Sequence, residues 1–211
     1  MNLFDHIRPR EFNRDDVVVC HELGHTITWF SYGRPIGAMR FTRSTEDGLL
    51  DGGAAFVNPR SLACRKDAEH LAERRLAGDS ATRRRLNMRR DQISTVGVAV
   101  TRDTNIPALL RVANTNDDAM WAIWAAYETA KPIWYEPLLV RLGAEPKWYK
   151  WLRVRLDQAR SIVDTNWEAI ERIAQVLIPR LPAPGHSLNI TAAELILLLE
   201  REVPERGSRN N

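Results

Sequence analysis

The sequence predicts a mainly α protein with a small N-terminal β-sheet or hairpin, an α+β arrangement, and three observations lead there. Apolar residues recur at helical spacing over most of the length. Two short strand-like stretches near the N-terminus are bounded by turn residues. From Leu62 onward every periodic segment has the helical period.

Each element follows in order. Asp15 and Asp16 precede a run with helical spacing (Val18, His21, Leu23, Gly24, Ile27, Phe30), which predicts a first helix capped by the two aspartates and ended by Gly33 and Pro35. Ile36 to Thr42 reads as a strand, Thr45-Glu46-Asp47-Gly48 as a turn, and Gly53 to Asn58 as a second strand closed by Pro59. Helices are then expected over Leu62 to Ala77, Ala81 to about Val100, Asp117 to Lys131, and Tyr149 to Leu181, the last between Pro146 and Pro182. Thr191 to Glu200 forms a final short helix, with Asn189-Ile190-Thr191 and Glu194 matching a capping box. The whole chain, 1–211, is expected to form a single domain. Its first part, 1–115, carries the small sheet and basic helices, and its second, 116–211, is helical.

Composition narrows the function classes. Hydrophobic residues make up 44% of the 211 and charged residues 27%, as in an ordinary globular protein. Apolar runs such as Leu195 to Leu199 are too short to cross a bilayer, and the charged N-terminus lacks a secretory signal pattern. Cys20 and Cys64 form neither a CxxC pair nor a disulfide framework, so a cytoplasmic protein with reduced thiols is expected. Between Arg60 and Arg90 ten basic side chains face four acidic ones, enough to attract nucleic acid or an acidic partner. No aromatic residue is interleaved there to stack on bases, so two helices with solvated basic faces are the plainer expectation and nucleic acid is not the expected partner. Trp121/Trp124 and Trp148/Trp151 have the spacing of core or interface stripes.

The chemistry lies in His21-Glu22-Leu23-Gly24-His25, an HExxH sequence on the first helix. With about 3.6 residues per turn, positions i and i+4 lie nearly above one another, so both imidazoles can grip one ion. Glu22 is turned about 100° away from His21, poorly placed as a ligand and well placed to reach a water on the metal. Zinc lowers the pKa of such a water from roughly 15.7 to about 7, and the glutamate takes its proton as the water attacks a carbonyl. The same carboxyl then protonates the leaving amine. Two histidines and a glutamate on so apolar a helix are costly without a partner, and a metal supplies one. The third ligand lies elsewhere, because Thr28 and Ser31 occupy the glycine and histidine positions of the extended HExxHxxGxxH form. Glu46, Asp117 and Asp118 are the carboxylates the sequence offers.

The helix Val17 to Thr26 resembles the HEAGHA helix of the peptidase domain of FtsH-type ATP-dependent zinc proteases. Asn114-Thr115-Asn116-Asp117-Asp118 resembles that family's small-polar-Asn-Asp stretch, and Ile162 to Ala174 its late helix. The resemblance implies an FtsH-peptidase-like helical fold with one zinc per chain, held by His21, His25 and Asp117, with Glu22 as general base. It implies peptide or unfolded-protein substrates and assembly into homo-oligomers. The family's Gly-Arg segment corresponds at best to Gly97 to Arg102, which lacks its acidic pair. No GxxxxGK[ST] loop occurs, so an unfolding ATPase would be a separate partner. Gly53, Ala54, Ala55 and Phe56 are the candidate substrate strand, to whose edge an extended peptide adds. The alternative is a non-catalytic relative binding a partner or nucleic acid through the basic face.

Overall fold

A computed structural model of the chain describes residues 14–56, 64–86, 117–130 and 147–203. The elements are α1 (Arg14–Ser31), β1 (Ile36–Arg43), β2 (Leu50–Phe56), α2 (Arg65–Arg85), α3 (Asp117–Ala130), α4 (Lys147–Thr165), α5 (Trp167–Leu177), β3 (Ser187–Ile190) and α6 (Ala192–Glu202). A 3-10 turn, Ile178–Arg180, follows α5. The coarse class read from the sequence, helical with a small antiparallel sheet, is the one observed. No described helix is long and apolar enough to cross a membrane.

Helix α1 ends as its sequence dictates. Gly33 takes φ of 67°, a left-handed conformation that costs glycine little, and its N–H bonds the Phe30 carbonyl at 2.8 Å. At the other end Asp15 and Asp16 lie inside the first turn rather than before it. Asp15 takes the Arg43 guanidinium of β1 and Asp16 that of Arg85 of α2, so their charge ties α1 to two neighbours.

The sheet has the order β2-β1-β3, both pairings antiparallel. The turn at Thr45 to Asp47 is as read, whereas β2 begins at Leu50, three residues before the expected Gly53. Val57, Asn58 and Pro59 lie outside the described residues. Strand β3 has no counterpart in the sequence reading. Its four residues are too few to show a period, and its partner β1 lies almost 150 positions earlier: Met39 pairs with Ile190 and Phe41 with Leu188. The Thr191 hydroxyl then caps α6, accepting the Glu194 N–H at 3.2 Å as the capping box requires.

Two helical assignments need correction. The helices expected over 62–77 and 81–100 are one helix, α2, running straight through Gly78-Asp79-Ser80. These turn-forming residues are satisfied within the helix: the Ser80 hydroxyl donates to the Leu76 carbonyl and Asp79 takes Arg83 at 2.7 Å. Residues 87–100 lie outside the described set. Conversely, the long helix expected from Tyr149 to Leu181 is broken at Asn166. There the Thr165 hydroxyl and the Asn166 amide donate to the Ser161 and Ile162 carbonyls, and Asn166 leaves helical geometry (φ −104°, ψ 16°).

One hydrophobic cluster joins both parts of the chain: Val19, Leu23 and Ile27 of α1, Met39 and Phe41 of β1, Leu152 and Leu156 of α4, Ile170 and Ile173 of α5, Leu195 and Leu199 of α6. Beside it, packed against α1, α3 and α4, lies the most charged helix of the fold. Fourteen of the 21 residues of α2 are buried, Glu73, Arg74, Asp79 and Arg83 among them. The solvated basic faces expected here form only in part: Arg65, Lys66 and Arg84 are exposed, whereas Arg74 and Arg83 are buried. Arg75 pairs with Asp118, Arg83 with Asp79, Arg84 with Asp164, Arg85 with Asp16, and the Arg74 guanidinium stacks 4.8 Å from the centre of the Trp29 ring. Arg60, Arg89 and Arg90 lie outside the described residues.

Candidate metal centre

Helices α1 and α2 run antiparallel and very close. A Cβ added to Gly24 would lie 2.7 Å from the Ala77 carbonyl oxygen and 2.8 Å from the Ala81 Cβ, so the seam tolerates only hydrogen there. One helical stripe of α1, carrying His21 and His25, therefore faces Thr82, Gly78 and Arg74 of α2. The third wall is the start of α3, where Asp118 points back at both rings.

The polar atoms converge. His25 Nε2 lies 3.0 Å from His21 Nε2 and 3.0 Å from Asp118 Oδ2, which is 3.5 Å from His21 Nε2. The outer nitrogens are anchored: His25 Nδ1 to the Arg74 carbonyl at 2.7 Å, and His21 Nδ1 to the Thr82 hydroxyl at 3.0 Å. A carbonyl can only accept, so the proton of a neutral His25 sits on Nδ1 and its Nε2 presents a lone pair. That lone pair faces a second imidazole nitrogen and a carboxylate oxygen, an arrangement that a shared proton or a metal ion between them satisfies. Two nitrogens about 2.0–2.1 Å from a tetrahedral zinc are separated by about 3.3 Å, and the observed 3.0 to 3.5 Å spacings bracket that value. The donor set thus fits a divalent ion.

The charges of these groups are coupled. Burial opposes charging His25, yet Asp118 beside it raises its pKa. Burial alone would raise Asp118, but the charge of His25 and hydrogen bonds from His21, His25 and Arg75 hold its carboxyl far below the usual range. The His25 side chain is 7% exposed against 18% for His21 and 22% for Asp118, so access is from the side of the latter two.

Glu22 lies on a neighbouring face of α1, 8% exposed, and no hydrogen bond engages its carboxylate among the described residues. Strand β2 passes directly over it: a Cβ on Gly52 would stand 2.9 Å from Glu22 Cγ. Gly53 follows exposed and Ala54 half-buried, while the side chains of Ala55 and Phe56 lie outside the described set. Of the three carboxylates offered by the sequence, Asp118 joins the histidines. Asp117 opens α3 but its side chain is outside the described residues, and Glu46 is exposed in the β1–β2 turn, apart from the group. Gly97 to Arg102 is also outside them. Sequence reasoning did not single out Gly78, Thr82 or Arg75. The small residues Ala77, Gly78 and Ala81, spaced to face Gly24, were the available signal of a tight seam.

Farther along the seam, Tyr32 stacks on His70 (3.7 Å, 6°) and its hydroxyl donates to buried Glu73, which also takes Arg155. A cavity of about 440 Å³ opens over these groups. Burial, aided by the charge of Arg34, pushes His70 down to about 4. The unfolded chain protonates this ring near 6.5 and the folded protein near 4, so its contribution to stability is whole above pH 6.5 and fades as pH falls towards 4. Thermal melts of metal-free protein should therefore fall less steeply between pH 6.5 and 4 in His70→Gln than in wild type; parallel slopes would refute this.

No family model and no curated protein sequence matches the chain.

Proposed function

We propose that the protein is a zinc-dependent peptidase in which His21, His25 and Asp118 hold the ion and Glu22 is the general base. The observation that carries this reading is the meeting of His21 Nε2, His25 Nε2 and Asp118 Oδ2 around one point, with the outer histidine nitrogens anchored. Bound there, zinc would supply Lewis acidity and bring the pKa of water towards neutrality. The chain's own residues do the rest. Glu22, rotated away from the ligand stripe, accepts the proton of the attacking water and returns it to the leaving amine. Gly52 leaves room for that carboxylate under β2. Strand β2 is an edge strand among the described residues, so an extended peptide pairing with it at Gly53 to Phe56 would run past Glu22. That geometry favours unfolded segments as substrates, consistent with the FtsH-type resemblance of α1.

The test is metal content by elemental analysis of protein purified without chelator or added metal. Wild type should carry about one zinc per chain, and His25→Ala and Asp118→Asn should lose it. A wild type that stays metal-free after incubation with zinc would overturn the proposal and leave a proton on His25 as the cation of the cluster.

A further inference from the structure

We infer that Arg75 is a positioning residue that makes Asp118 a one-oxygen ligand; the inference rests on the metal site proposed above. Asp118 has two equivalent oxygens and a torsion with broad minima, so nothing intrinsic to it selects which oxygen faces the histidines. Arg75 selects. Its Nη1 donates to Oδ1 at 2.8 Å, which leaves Oδ2 directed at the two imidazoles. The guanidinium is itself held in place, 5.8 Å from the centre of the Trp121 ring, one turn beyond Asp118 on the same helix. Arg75 thus joins α2 to α3 at the point where α3 delivers its ligand.

Two features point to this role rather than to stability alone. Arg75 Nε is buried without a hydrogen-bond partner among the described residues, a cost that a simple surface ion pair avoids. A cation beside a site for a dication also works against binding by charge repulsion. Charge and geometry therefore make opposite predictions, and the sign of one measurement separates them. If only charge mattered, Arg75→Met would bind zinc more tightly. If Arg75 orients Asp118, the same variant binds more weakly, by the 10- to 100-fold typical of lost outer-shell partners.

The experiment is zinc affinity by competition with a chromophoric chelator, for full-length wild type, Arg75→Met and Arg75→Lys, with the absorption spectrum of the cobalt(II) protein recorded in parallel. Weaker binding in Arg75→Met, rescue to within about tenfold by Arg75→Lys, and a cobalt spectrum altered only in the methionine variant support the inference. Equal or tighter binding in Arg75→Met, with an unchanged cobalt spectrum, overturns it while leaving the zinc site standing. A wild type that binds neither zinc nor cobalt removes both. Should Arg75→Met not fold, Trp121→Leu asks the same question at unchanged charge: weakened zinc binding supports positioning, and wild-type affinity refutes it.

Discussion

Glu22→Gln should retain its zinc and lose about 10²- to 10⁴-fold in the rate of peptide hydrolysis, the usual worth of a positioned general base. The amide keeps the volume that fits beneath Gly52, where even the strand's missing Cβ would have come within 2.9 Å of the side chain, so neither fold nor seam is disturbed. It lacks only the ability to take a proton. Release of fluorescence from a dye-quenched unfolded casein, measured beside zinc content in the same preparations, makes the comparison. His25→Ala should lose both quantities, whereas Glu22→Gln should lose only the first. A glutamine variant as active as wild type would take Glu22 out of the mechanism, and one without zinc would make it a support of the site.

The second large effect is expected at a residue with no side chain. A Cβ at position 78 would lie 2.4 Å from both Cε1 and Nε2 of His25 and 2.8 Å from Cε1 of His21. Helix α1 has no room to retreat, since its Val19, Leu23 and Ile27 are fully buried in the hydrophobic cluster behind it. In Gly78→Ala the two imidazoles must swing out of the seam, and zinc stoichiometry should drop towards zero. Alanine in an open helix interior would stabilise by roughly 0.5–1 kcal/mol over glycine. Here overpacking, at roughly 1–3 kcal/mol, reverses the sign. Metal analysis with thermal melts in chelator tests both halves; a variant with full zinc and a raised Tm would refute the tight seam.

What the sequence made legible follows the range of the interactions. The HExxH helix, its glycine stop, the turn at Thr45 to Asp47 and the Thr191 cap are set by residues a few positions apart, and each is visible in a short window. Strand β3 was invisible because four residues acquire their state from β1 across the chain. Gly78-Asp79-Ser80 looked like a break because local propensity favours a turn there. The contact with α1 needs the glycine, and the Arg83 partner accounts for the aspartate. For the site, two histidines at i and i+4 carry their own geometry. The third candidate ligand does not: Asp117 and Asp118 are adjacent and chemically identical, and only the packing of α3 on α2 brings Asp118 to the histidines. The basic segment misled for a related reason. A count of arginines records charge without the carboxylates that meet it, and here those come from α1, α3 and α4.

That ionic wiring bears on how the molecule assembles. A helix as polar as α2 has no tendency to aggregate while the chain is still open, because water serves its charges well. Once α2 is enclosed, its half-buried Arg75 must find Asp118 of α3, while Arg85 and Arg84 meet Asp16 and Asp164 of two other helices nearer the surface. If α3 docked one turn out of place, Arg75 would be stranded with its Nε already buried, and an uncompensated buried charge costs about 3–5 kcal/mol. The central helix therefore proofreads its own surroundings, rejecting near-miss packings that a greasy helix would accept.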